Sequence, residues 1–206
     1  MLIANEMHWI KKKTVLLIVM LATAPGIRAG LIDGNAGSQN KTMHTFAVSV
    51  GPAWITSKVY TPKNSYSWRT GFEVTGEYNC VFSGGTGFGI TYTSNITSYP
   101  NAGDLKQYYV GPSLVYAGFL GSHWHAKVDV GIGYANCSDE LSSEGGVGLK
   151  SGLSIEYLPC RNVGIGLEMI SVSSYLGNRS DFAPRNTNER NGIARIGLTL
   201  GLRVHL

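Results

Sequence analysis

The chain closes on RIGLTLGLRVHL, residues 195–206. Its even positions are all apolar: Ile196, Leu198, Leu200, Leu202, Val204 and Leu206. Its odd positions are charged, small or polar: Arg195, Gly197, Thr199, Gly201, Arg203 and His205. A period of two is the strand period, because successive side chains point to opposite faces. Soluble and membrane-inserted barrels both alternate in this way, with the faces exchanged. The make-up of the two faces along the rest of the chain therefore decides which face is wet.

Seven more alternating segments precede this one, at about 45–56, 68–80, 87–94, 106–117, 123–134, 146–157 and 163–173, with the last at 193–206. Sustained 3.6 periodicity is missing from them, so the fold reads as all-β. Four connections are long: SKVYTPKNSYS, SNITSYPNAGDL, ANCSDELSSEG and SYLGNRSDFAPRNTNERN. The intervening three, VFSGGT, GFLGS and LPCRN, are short. Long and short in strict alternation is the order of an eight-stranded antiparallel up-and-down barrel with tight turns at one end. Transmembrane β-barrels have short periplasmic turns and longer extracellular loops.

The faces carry a second signal. On the second segment Trp68, Phe72, Val74 and Tyr78 oppose Arg69, Glu73, Thr75 and Glu77. On the fifth, Trp124, Val128, Val130, Ile132 and Tyr134 oppose His125, Lys127, Asp129, Gly131 and Gly133. A water-facing exterior would be rich in Lys, Glu, Asp and Gln. The polar set here is mostly Gly, Ser and Thr, with charges of balanced sign, which suits the cramped interior of a small barrel. The inward charges are Arg69, Glu73, Glu77, Lys127, Asp129, Lys150, Glu156, Glu168, Arg195 and Arg203. They are read as a structural network, each ion paired because an unpaired buried charge is costly.

Aromatic spacing points the same way. Trp68 and Tyr78, and Trp124 and Tyr134, each stand ten residues apart. At about 3.3 Å per residue and a tilt near 40° this spans roughly 25 Å, the height of a transmembrane apolar band. Tyr108 and Tyr116 repeat the device, and Trp54 and Tyr157 complete the expected aromatic girdles. The apolar face is therefore expected to meet lipid.

The first residues read differently. Lys11-Lys12-Lys13, the apolar run Thr14–Ala24 and Ile27-Arg28-Ala29 have the layout of a secretory signal peptide. The expected organisation is a leader over 1–29, a periplasmic segment over 30–44 and a barrel over 45–206. Loss of the leader takes four bases and one acid with it, so the formal charge of +4 falls to +1. No basic face then remains to argue for nucleic acid. Cys80, Cys137 and Cys160 are an odd number, so at most one disulfide closes. No cysteine follows the expected cut, which argues against a lipid-anchored lipoprotein.

These features resemble the small eight-stranded outer-membrane barrels of the OmpA and OmpX kind, over about residues 45–206. The terminal GLTLGLRVHL also resembles the signal read by the barrel-assembly machinery in that family, with Leu206 where members usually end in an aromatic residue. The resemblance implies insertion into the outer membrane of a Gram-negative bacterium as a monomer, in contact with lipid and lipopolysaccharide. It implies no activity, because fold does not give function.

The same residues offer few signs of other chemistries. His123 and His125 share a parity near a turn, with His205 at the same end. Two neighbouring imidazoles are few for a closed zinc site, so a polar plug at the barrel floor is the preferred reading. GGVGLKSG lacks the Gly-Lys-Ser/Thr order of a phosphate-binding loop. A lipid A deacylase would need a His-x-Ser pair, and no His here is followed two residues later by Ser. The expectation is a non-catalytic barrel without cofactor or metal, against the alternatives of a lipid A-modifying enzyme or a narrow passive channel. In the longest loop Tyr175, Arg179, Phe182, Arg185 and Arg190 are the expected contacts to an anionic surface.

Overall fold

Alternation closes on itself in the computed structural model, which describes residues 42–60, 65–100, 103–139, 143–160, 162–176 and 192–206. The barrel strands are β1 (Met43–Ile55), β4 (Arg69–Val81), β5 (Thr86–Tyr99), β6 (Gly103–Phe119), β7 (Trp124–Ser138), β8 (Ser143–Cys160), β9 (Val163–Leu176) and β10 (Gly192–His205). They form one closed antiparallel barrel in the order β1-β10-β9-β8-β7-β6-β5-β4. Between β1 and β4, the two-residue strands β2 (Val59–Tyr60) and β3 (Ser65–Tyr66) pair as a small separate ribbon. Closure removes both sheet edges, so no ladder is left open to another chain.

The expected leader and most of the segment 30–44 fall outside the described residues, and β1 begins at Met43. Two of the expected long connections are short instead. β5 and β6 run on through most of SNITSYPNAGDL, and their ladder ends at the pair Tyr99 and Gly103. β7 and β8 likewise extend to Ser138 and Ser143. The reason lies on the outer face, where Ser98, Asp104, Lys106, Asn136 and Ser138 replace the apolar residues found lower down. The outward half of the alternation disappears there, although the backbone ladder continues.

The apolar set points outward. Val48, Phe72, Phe88, Ile90, Leu114, Ile132, Val147, Ile165, Leu200 and Leu202 are among the exposed residues. The polar set fills the lumen, where Glu73, Lys127, Lys150, Glu168 and Arg195 are buried. Glycines on the inner face are seats for the large side chains. A Cβ on Gly152 would strike the Asp129 carboxylate, on Gly164 the Glu156 carboxylate, and on Gly166 the Arg203 guanidinium. Gly111, Gly131 and Gly148 together make room for the buried ring and hydroxyl of Tyr109.

Candidate functional site

The lumen is built in three levels, which run from the end with short turns to the mouth at the opposite end. At the turn end Glu156 lies between two imidazoles, with His205 Nε2 at 2.7 Å and His125 Nδ1 at 3.2 Å. Thr45 Oγ1 is 3.0 Å from His205 Nδ1, so this residue also spans the closure between β1 and β10. A small cavity beside them, with room for about one water, is lined in part by Thr45, Asn79, His125, Ser154 and Arg203. His123 is not part of this group. It stands exposed in the turn before β7, 2.7 Å from Ser122 and stacked on Tyr157. Strand parity does not extend to a residue outside the strand.

The middle level is ionic. Lys127 Nζ donates to Glu77 and, at 3.2 Å, to Glu168 Oε1. Lys150 Nζ donates to Glu77 Oε1 at 2.6 Å, Asp129 Oδ2 at 2.7 Å and Thr91 at 3.1 Å. Arg203 Nη2 donates to Glu168 Oε2 at 3.1 Å. Glu77, Asp129 and Glu168 bring their oxygens close enough together to surround a cation. The two lysine ammonium groups stand among them and supply that positive charge.

Above this, Arg195 is fully buried. Its Nε lies 3.1 Å from Glu73 Oε2, and its Nη atoms donate to the backbone and side-chain oxygens of Gln107 and to Thr93. Thr93 in turn donates to Glu73 Oε1 at 3.0 Å. Gln107 Nε2 completes the layer by donating to Ser174 at 2.7 Å. Buried ions are tolerable where each finds such partners.

The mouth is different in kind. Ile55, Val59, Tyr99, Leu105, Cys137 and Ile193 form an apolar cluster, with Tyr66 and Leu176 packed on it. Arg69 belongs here and not to the ionic network, which therefore has four Lys and Arg side chains against five acids, together with two histidines. The Arg69 guanidinium lies 5.7 Å from the ring centres of both Tyr66 and Tyr99 and donates twice to the Ser98 carbonyl. It is the first residue of β4, so its side chain reaches the rim and not the interior. Burial pushes the Tyr99 phenol up to about 12, against the lowering effect of Arg69. Burial also pushes the Cys137 thiol up to about 12. All three cysteines are free.

The aromatic residues expected as girdles occupy several environments. Trp124 and Tyr157 are exposed and in contact on neighbouring strands near the turn end, with ring centres 5.2 Å apart. Tyr116 is exposed, and half-buried Tyr78 packs on Phe46 at 4.9 Å. Toward the mouth Tyr108 and Tyr134 approach to 6.4 Å, and Trp54 is half-buried near the end of β1. Trp68 is not on a strand. It precedes β4 with a φ of 57° and is 67% exposed, since the chain leaves strand geometry at that point. Of the expected loop contacts, Tyr175 is exposed near the end of β9, while Arg179, Phe182, Arg185 and Arg190 lie outside the described residues.

Sequence reasoning missed the apolar mouth and Tyr109. Ile55, Tyr99, Leu105 and Tyr109 have inward parity, and an apolar residue on the inner face breaks the two-colour pattern. The glycines at 111, 131 and 148 were the available signal for Tyr109.

Polar within, apolar without, and closed at eight strands, the molecule belongs by fold to the inside-out up-and-down barrels. Among solved structures it is similar to Neisserial surface protein A, with a TM-score of 0.57 and 18% identity, covering 80% of this chain and 98% of that one. The N-terminal β-barrel domain of OprF from Pseudomonas aeruginosa matches with a TM-score of 0.49 and 10% identity, over 82% of this chain and 100% of that one. The attachment invasion locus protein Ail of Yersinia pestis gives 0.45 and 16%, over 79% and 98%. No protein-family model and no curated protein matches the sequence.

Proposed function

We propose that this chain is an integral outer-membrane barrel of a Gram-negative bacterium, non-catalytic, with a filled lumen and its long connections on the cell exterior. The observation that carries the reading is the ring of exposed apolar side chains on all eight strands, from Phe46 on β1 through Phe72, Ile90, Leu114, Ile132, Leu149 and Leu167 to Leu200 on β10. In water this surface would far exceed the apolar patches that monomeric proteins expose. In lipid it is the required surface, and closure leaves no open sheet edge. The interlocked lumen supports a role other than conduction. The fold likeness to Neisserial surface protein A supports the same reading.

In this orientation the short turns face the periplasm. The loop that carries Arg179, Arg185 and Arg190 then faces outward and contacts anionic groups such as lipopolysaccharide phosphates, which guanidinium groups bind bidentately. The deciding experiment is fractionation, with gel mobility before and after boiling. The protein should partition with outer membranes and migrate faster unboiled. Recovery as a soluble protein overturns the proposal. The loop contact has its own test. Changing the three arginines to Gln should leave the mobility shift intact and weaken binding to lipopolysaccharide, most clearly at low salt.

A further inference from the structure

We infer that the barrel is two four-stranded half-walls, joined along two softened seams and clamped together through the lumen by Glu73 and Glu77. The first observation is in the ladders. β1 carries Val50-Gly51-Pro52 and β6 carries Val110-Gly111-Pro112, the same triplet in mid-strand. On the β10 side, pairing of β1 passes from Val50–Leu200 to Ala53–Gly197, and Gly51 and Pro52 are left without partners. On the β7 side, pairing of β6 passes from Val110–Tyr134 to Ser113–Gly131, and Gly111 and Pro112 are skipped. Among the described residues the other six ladders run unbroken through the middle of the wall, the one other irregularity lying between Tyr157 and Cys160 near the turn end. Proline has no N–H to donate, so it interrupts a ladder at that point.

The two interruptions fall on opposite sides of the barrel. In the strand order they separate β1-β4-β5-β6 from β7-β8-β9-β10. They are not holes. A Cβ on Gly51 would run into the Leu198 carbonyl, and one on Gly111 would meet the Cα of Gly133. The backbones touch there but do not pair.

The second observation is how the lumen charges are divided. All four cations of the network, Lys127, Lys150, Arg195 and Arg203, stand on the β7–β10 half, together with Asp129, Glu156 and Glu168. Among the described residues the other half contributes only Glu73 and Glu77, both on β4. With neutral histidines the two halves carry +1 and −2. Three ion pairs therefore cross between them: Lys127 with Glu77, Lys150 with Glu77, and Arg195 with Glu73. Hydrogen bonds of Lys150 to Thr91 and of Arg195 to Gln107 and Thr93 cross in the same direction. Where the wall lacks backbone bonds, the lumen supplies the cohesion.

Amide exchange of the full chain in detergent micelles, resolved by segment, tests this. Segments 131–134 and 197–200 should exchange about tenfold faster than mid-strand segments of the β8–β9 ladder, the scale of one lost backbone hydrogen bond. Glu77→Gln should accelerate both seams and leave β8–β9 unchanged. Pro52→Ala should slow only 197–200, and Pro112→Ala only 131–134. If Glu77→Gln does not fold, the wild-type map and the two proline variants still decide. Uniform exchange in the wild type, acceleration of every ladder alike by Glu77→Gln, or proline variants that change nothing overturns the inference.

Discussion

Arg195 has no exposed surface, and its charge is held by one carboxylate and three neutral oxygens. Removing that carboxylate leaves an uncompensated buried cation. Glu73→Ala should therefore cost about 3–5 kcal/mol in urea unfolding, whereas Asp104→Ala, at the exposed end of β6, should cost under ~1 kcal/mol. Tyr99 gives a second test at the level of one group. Its folded pKa of about 12 lies above the ordinary 10.0, so the folded state holds the proton more tightly. The resulting stability is fully present below pH 10 and is lost as pH rises through 12. Absorbance titration should show a late phase of tyrosine ionisation, and Tyr99→Phe should diminish that phase. Strand parity made the inward position of Arg195 legible in the sequence. Its partner was not, because the residue across the lumen depends on the stagger of eight strands, and that stagger leaves no mark in local alternation.

Elements show the same division between what is local and what is not. The alternation located all eight strands, but it stopped short on β5–β6 and β7–β8, where polar residues replace the outward apolar set. It also joined Trp68 to a strand that begins one residue later. On β7, Val130 is exposed in mid-strand, and Val130→Arg should destabilise the protein in a bilayer by roughly 2–4 kcal/mol. On β8, Gly148 faces the other way, under the Tyr109 ring. Gly148→Leu should cost about 1–3 kcal/mol by overpacking, and Tyr109→Ala should recover part of that loss when the two are combined. Additive costs in the double variant would mean that the glycine has no tie to the ring.

At the scale of the whole molecule the three free thiols are divided between the two ends of the barrel and lie in different surroundings, which makes them reporters of orientation. Cys160 is exposed at the turn end, Cys80 is half-buried near that same end of β4, and Cys137 is buried in the apolar cluster at the mouth. In the proposed orientation the turn end faces the periplasm. A membrane-impermeant maleimide applied to intact cells should then label none of them: Cys160 is on the far side of the membrane, and Cys137 is both buried and poorly ionised. Permeabilising the outer membrane should expose Cys160, and mass analysis should find the adduct there. Cys160→Ser should abolish that labelling while the faster migration of the unboiled protein persists. If intact cells are labelled at Cys160 as rapidly as permeabilised ones, the barrel is inserted the other way up, and the loop bearing Arg179, Arg185 and Arg190 faces the periplasm.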